Sequence, residues 1–374
     1  MGRKDKRART RSSGDVLAQI TGRDIAMLRL IDKHRLVNGQ QLWAALAGNA
    51  HPRAFAYRLA TLFHAGVLDR PPAQFRGGQP ARPYVYAVGP RGRQELDRLD
   101  SIARTGKRDI HAENKRLKLH FIEHETAVTE VTLAFQLATE RQGWTCEFAL
   151  DDEIPAATGL PPVVNITFMD DVKEPVPLRP DAHVVIDAGE GARRAYFFEV
   201  DLGTEPQIRW NLRTSSILRK TIAYWQLSFW HPRPVDGVIF LTTTPQRLAN
   251  MIDVVRRVDP KSKGSHFFHF ALLDQCRIEN HSGIFYEPLF RSAKIRYDNP
   301  RPLFLDTCPK CNQLIDTANE PHEILNAEPR LELAPATPPL PAVLPDDESV
   351  YAHTNCPGTT NCTNNNPTKE ENAA

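Results

Sequence analysis

The stretch PDAHVVIDAGEGARRAYFFEVDLGTEP (residues 180–206) decides the architecture of the chain. It holds two runs rich in β-branched and aromatic residues, AHVVID (182–187) and AYFFEVD (195–201), joined by the Gly-containing AGEGARR. That pattern reads as a β-hairpin. Side chains at i and i+2 of a strand share a face. Glu199 and Asp201 therefore point one way, while Phe198 and Val200 point the other and pack. A turn centred near Glu190 or Gly191 pairs residues whose numbers sum to about 380–382. Asp181 then stands opposite Glu199 or Asp201, within one register step, and three carboxylates crowd one end of the hairpin.

Like charges at that separation repel and raise one another's pKa, so the cluster calls for a compensating cation. One solution is a divalent metal, Mg²⁺ or Mn²⁺, held by Asp181 and Glu199 together with phosphate oxygens, with Asp201 assisting. Metal-bound water is then a nucleophile for phosphodiester attack. The alternative is a solvated hairpin end whose acids pair with Arg193, Arg194 or Arg209. The arrival of Asp181 from the neighbouring strand, directly after Pro180, weighs against that alternative. A lysine completes such a site, and Lys220 is the candidate. On one straight helix from Thr204 it would sit about 24 Å along the axis. TSSILRKTIAYWQL carries its own capping candidates, Thr214 and Ser215, ahead of a new apolar stripe, so a break near 214 returns Lys220 to the acids. Tyr224, four residues on, shares the face of Lys220.

Working outward, a long amphipathic helix spans about Leu117 to Gln142, followed by the strand WTCEFAL (144–150). Residues 151–180 are Pro-rich and irregular, with VVNITFM as an extra strand. A helical region over 205–230, the buried strand DGVIFLTTT, a helix from Pro245 to Val258 and the strand FFHFALL follow. The order from residue 117 to 243 is helix, three strands, helix, strand. Upstream, residues 20–99 read as three helices and a two-stranded wing, the winged helix-turn-helix pattern, in which the third helix enters the DNA major groove. Arg53 and Arg58 on that helix and Arg70, Arg76 and Arg82 in the wing are the DNA-binding candidates; a winged helix used for protein contacts is the alternative. The phrase LATLFHAGVLDR resembles many winged-helix domains.

Charged residues are 25% and hydrophobic ones 41% of the 374 residues, the balance of an ordinary globular protein. The first eleven residues hold six Lys or Arg against one Asp, and residues 1–19 read as a flexible basic arm suited to polyanions. No apolar run reaches the length of a membrane span and no signal-like apolar region follows the basic start, so a cytoplasmic protein without a membrane partner is expected. The six cysteines do not form a secreted disulfide framework.

PDAHVVID, FFEVDLGTEP and RKTIAYW resemble the core of the plasmid replication-relaxation proteins, over roughly residues 20–275. The resemblance implies an α+β chain: an N-terminal winged helix and a domain similar to the PD-(D/E)xK nucleases, with an αβββαβ core. It implies Asp181 and Glu199 as metal-binding acids. Asp201 stands where many nucleases carry lysine, and Lys220 takes that role from the following helix. In HETAVTE, His124 and Glu130 match the His and the acid of the family's first core helix.

Residues 100–116 read as a linker, 117–290 as the nuclease-like domain, and 291–374 as a Pro-rich, mostly disordered tail. CPKC (308–311) has zinc-ligand spacing. Cys308 and Cys311 would bind Zn²⁺ with His353 and Cys356, or with Cys356 and Cys362; a redox pair or unligated thiols are the alternatives. The sequence thus points to a DNA-binding protein of plasmid or mobile-element replication or transfer. Its second domain either nicks DNA with a metal, or serves a non-catalytic regulator in binding or homodimerisation. Replication or conjugation machinery is the expected further partner. A relaxase would need a tyrosine nucleophile, and Tyr224 is the candidate.

Overall fold

The computed structural model describes residues 19–48, 50–75, 83–101, 110–168, 172–189, 193–209, 214–230, 234–285, 289–293, 306–307 and 314–315. Helix α1 (Gly22–His34) starts where Thr21 and Asp24 cap each other reciprocally. After β1 (Val37–Asn38), Asn38 and Gln41 repeat the device for α2 (Gly39–Leu46). His51 caps α3 (Pro52–His64), with proline in the first turn, where its missing N–H costs nothing. Strands β2 (Leu68–Asp69) and β3 (Val85–Val88) lead to α4 (Pro90–Leu99). The three short strands form an antiparallel sheet in the order β1-β3-β2. The short strand Val37–Asn38 thus joins the expected two-stranded wing at its edge, Val37 lying opposite Tyr86. Met27, Leu28, Ile31, Leu42, Leu59 and Leu62 bury their side chains together between the helices and this sheet. A side chain on Gly92 would collide with the Val67 carbonyl, so only glycine lets α4 lie this close.

The segment read as a linker contains α5 (Ile110–Arg116). His111 Nδ1 lies 2.7 Å from Asp69 Oδ2, and Asn114 donates to the same oxygen at 3.2 Å. Asp69 is buried, and it is the need to satisfy its carboxylate that orders this segment.

Helix α6 (Leu119–Gln142) is followed by β4 (Thr145–Ala149), α7 (Glu153–Thr158), β5 (Val163–Phe168), β6 (Val172–Pro177), β7 (Ala182–Asp187) and β8 (Arg193–Asp201). Next come α8 (Ile217–Leu227), β9 (Gly237–Thr242), α9 (Pro245–Val258), β10 (Phe268–Leu272) and β11 (Arg291–Ser292). The main sheet has the order β11-β10-β9-β8-β7-β4. Strands β8, β9 and β10 are mutually parallel and the other pairings antiparallel. The parallel steps are crossed by α8 and α9, as parallel neighbours require. The expected extra strand is present as β5, paired with β6 in a separate hairpin. β11 carries the sheet past residue 290, the boundary expected for this unit.

Alternation along the central strands sorts the core. Phe197 and Phe240 face α8 and α9, with Ile222 and Met251. Phe198, Val200, Ile239 and Leu241 face α6. There Phe135 meets Phe198 edge-on at 4.8 Å, a contact worth about 1 kcal/mol beyond its buried area. Helix α6 also seats the N-terminal unit. Thr129 donates to the Leu36 carbonyl at 2.9 Å, and Gln41 donates to the Thr126 carbonyl at 2.9 Å.

The chain is therefore mixed α+β, as expected. No helix among the described residues is long and apolar enough to cross a membrane. The basic arm up to residue 18 and the cysteine motif with Cys308, Cys311, His353, Cys356 and Cys362 lie outside the described residues, as do Arg76 and Arg82. Of the tail, the described residues are 291–293, with β11, and β12 (Asp306–Thr307) paired with β13 (Leu314–Ile315).

Candidate active site

The β7–β8 register is Ala182 opposite Phe198, and Asp181, one residue before β7, continues it. Asp181 donates its N–H to the Phe198 carbonyl at 3.0 Å, and its Oδ2 accepts the Val200 N–H at 2.7 Å. Its carboxylate is thereby pinned to the segment of β8 that carries Glu199.

The helical region expected over 205–230 is helical only as α8: residues 205–209 and 214–216 are irregular, and that irregular path builds the site. The chain leaves β8 through Gly203, whose φ of 86° favours glycine. It returns so that Ile217 and Leu218 donate to the carbonyls of Pro206 and Gln207 at 3.1 and 2.9 Å. Ser216, rather than Thr214 or Ser215, caps α8 by accepting the Arg219 N–H. Lys220 Nζ then lies 2.7 Å from Glu199 Oε2, and Tyr224, one turn on, donates its hydroxyl to Glu199 Oε1 at 2.5 Å. A single i, i+4 pair holds both oxygens of a carboxylate that is 1% exposed.

Sequence reasoning missed Glu205, whose Oε2 lies 3.1 Å from Lys220 Nζ and whose Oε1 accepts from Ser215. The signal was present, since Glu205 closes the same stretch, but only the return of the loop shows its use. Asp201 turns away from this group. Arg247, in the first turn of α9, grips it with two guanidinium nitrogens, and Thr242 donates to it at 2.8 Å. Asp201 thus fastens α9 to β8 and is not gathered with Asp181 and Glu199.

From α6, His124 approaches with Nε2 3.1 Å from the Val200 carbonyl and 3.4 Å from Asp181 Oδ2. Glu130 does not approach. Six residues from His124, it lies about 240° around the helix. It accepts from Gln41 at 2.8 Å and from the Ile278 N–H at 3.1 Å, joining the N-terminal unit to the segment after β10.

The two acids are driven apart in proton affinity. Burial pushes Glu199 up to about 7, Lys220 opposing and Asp181 adding to the shift. Asp181 is held below the usual carboxylate range: burial works against this, but His124, Lys220 and the Val200 N–H outweigh it. His124 is carried up to about 10, its burial outweighed by Asp181 and Glu125. Lys220 is also raised, because Glu199, Asp181 and Glu205 overcome its burial. Neighbouring groups pushed in opposite directions are a mark of acid–base or metal chemistry. Tyr224, by contrast, is fully buried, and burial beside Glu199 drives its hydroxyl well above its ordinary value. A nucleophilic tyrosine must reach phosphorus and ionise, so Tyr224 is a support for Glu199.

Asp181 also borders a small cleft that Lys33 and His34 line from the N-terminal unit and Asp151 and Arg179 from the second. Arg179 is exposed, two residues from Asp181. Among the described residues, no three His, Cys, Asp or Glu side chains are gathered to hold one ion. The bonds on Asp181 fall on Oδ2, leaving Oδ1. Mg²⁺ needs only one or two carboxylates when phosphate and water complete its shell; Asp181 offers one, whereas both oxygens of Glu199 are held by Lys220 and Tyr224.

Two of the DNA-binding candidates are engaged inside the N-terminal unit. Arg58 grips Asp24, which is fully buried, and the Gln19 carbonyl. Arg70 is buried, its guanidinium 4.3, 4.4 and 5.0 Å from the rings of Phe63, Tyr84 and Tyr86. Arg53 is exposed on α3, one turn before Tyr57, which is 77% exposed.

Neither a curated protein nor a solved structure matches the chain. A family model described as replication-relaxation matches residues 28–232, more than half of the 374 and including every residue of the acid–lysine group. The chain belongs to the replication-relaxation family.

Proposed function

We propose that this is a DNA-binding protein of plasmid or mobile-element replication. Its N-terminal unit acts as a winged helix-turn-helix, and its second unit as a PD-(D/E)xK-type domain that nicks DNA with a divalent metal. The observation that carries this reading is the convergence of Asp181, Glu199 and Lys220. They arrive from a strand entry, a neighbouring strand and a following helix, with Lys220 2.7 Å from Glu199.

In this reading Asp181, and Glu199 once displaced from Lys220, would hold Mg²⁺ or Mn²⁺, which would supply positive charge and a more acidic water. Lys220, released in part from Glu199, stabilises the charge developing on the scissile phosphate. His124 holds Asp181 ionised and in place. Arg179 positions the phosphate beside Asp181, and Arg53 contributes to duplex affinity from α3.

A second reading is a replication regulator whose nuclease-like unit only binds DNA, replication or conjugation machinery, or a second copy. It draws support from the closed state of Glu199, both of whose oxygens are taken by Lys220 and Tyr224. Zinc binding by the C-terminal cysteines stays a separate proposal, tested by metal content after purification.

Electrophoretic mobility shifts on duplex DNA across a salt series, with and without Mn²⁺, test the DNA half. Binding should weaken steeply with salt and lose slope in Arg53→Ala. Salt-independent binding, or none, would remove the DNA reading in both versions.

A further inference from the structure

We infer that the N-terminal unit carries a pocket for an unpaired nucleobase, so that this face takes single-stranded or locally opened DNA. The inference rests on the DNA-binding reading above and goes beyond it in naming the form of the DNA. Between α2, α3 and β3 lies a groove of about 570 Å³. Phe55, Leu59 and Tyr86 are buried in its floor, and Trp43 and Tyr84, 42% and 40% exposed, stand in its walls.

The Tyr84 wall is built to stay in place. Arg70 is buried against the rings of Tyr84 and Tyr86 at 4.4 and 5.0 Å and donates to the Tyr86 hydroxyl at 3.0 Å. The Gly39 N–H donates to the Tyr84 carbonyl at 3.0 Å, tying the start of α2 to the same wall. A cation stacked behind aromatic rings resists their collapse into an apolar space. Rigid, half-exposed aromatic rings are the stacking surfaces that unpaired bases use.

Charge selects the ligand class. Among the described residues lining the groove none is acidic. Exposed Arg53 follows Pro52 on the rim, and Arg23 lies 5.9 Å from the Phe55 ring. Exposed Gln40 offers an amide to the edge of a base. A flat apolar group on a polyanionic chain meets all of these features. A paired duplex keeps its bases stacked inside and presents none to such a groove.

The test uses the full chain and fluorescein-labelled DNA in three forms: single strand, paired duplex, and duplex with an unpaired tract. Dissociation constants come from anisotropy for wild type, Trp43→Ala, Tyr84→Ala and Trp43→Phe. Single-stranded or opened DNA should bind tighter than paired duplex. Each alanine variant should lose about tenfold on the unpaired forms and less than about twofold on paired duplex, the scale of one base–aromatic stack. Trp43→Phe should retain most of the affinity, which separates stacking from folding. Duplex binding with no gain from unpaired bases, or equal losses on all forms, would overturn the inference and leave the DNA-binding reading standing. Failure to bind any DNA would overturn both. Alanine variants that leave DNA binding unchanged but abolish self-association in sedimentation velocity would assign the groove to a second copy and overturn it too.

Discussion

Replacing Lys220 by Met removes the ammonium from a carboxylate that is 1% exposed. Burial already pushes Glu199 up to about 7 in the folded chain, from its ordinary 4.5. A carboxyl whose folded pKa is raised makes stability fall as pH rises from the unfolded value to the folded one, and flatten beyond. Without Lys220 the folded value moves higher still, because the lysine is the leading influence pulling it down. The fall then continues above pH 7 at about 1.4 kcal/mol per pH unit. By about pH 8.5 the variant's deficit relative to wild type should be about 2 kcal/mol larger than at about pH 5.5, where Glu199 is protonated in both proteins. At the lower pH the ammonium's contacts to protonated Glu199 and to Glu205 and some packing are missing, about 1–2 kcal/mol. Adding Glu199→Gln removes the stranded charge and should recover most of the loss. Urea unfolding followed by tryptophan emission measures this; Trp225 is buried in the same helix. A Lys220→Met cost equal at both pH values, or a double variant no more stable than the single one, would refute the buried ion pair as the organising contact of the site.

Other consequences separate structural from functional charges. Arg247→Ala strands Asp201, which is 6% exposed, and should cost about 3 kcal/mol in urea unfolding; Asp201→Asn/Arg247→Ala should recover part of it. His124 is held up to about 10 by Asp181 and Glu125 against its burial, so its contribution is fully present below about pH 6.5 and is lost as pH rises through about 10. The stability gap between wild type and His124→Gln should shrink over that window, and a gap that grows would contradict the pairing. Arg53→Ala should weaken duplex binding with little change in stability, whereas Arg58→Ala should lose about 2–3 kcal/mol of stability by stranding Asp24. Calorimetry and anisotropy on the two variants would expose any exchange of these roles.

The hairpin and its register were legible because a period of two and a glycine-marked turn leave few pairings open. The helix break before Lys220 was legible for a related reason, since hydroxyl residues ahead of a new apolar stripe mark a start. What escaped depends on chain paths that local preference does not set. Arg247 lies 46 residues from Asp201, and Glu205 becomes a neighbour of Lys220 only because the loop after Gly203 doubles back. The same limit misplaced the arginines. Charge alone suggested that Arg58 and Arg70 faced DNA, yet each satisfies an internal partner, a capping carboxylate in one case and three aromatic rings in the other. His111 and Asn114 likewise looked like linker polarity until a buried Asp69 required them.

The central claim is that Asp181, Glu199 and Lys220 form a metal-dependent nicking centre. Conversion of supercoiled plasmid to open circles in Mn²⁺ or Mg²⁺, by wild type, Asp181→Ala and Glu199→Gln at matched DNA occupancy, tests it most directly. Metal-dependent nicking by wild type, lost by at least about a hundredfold in both variants while DNA binding persists, is the expected result. Undiminished nicking in the variants, or bound plasmid left intact by wild type with either metal, would contradict the claim.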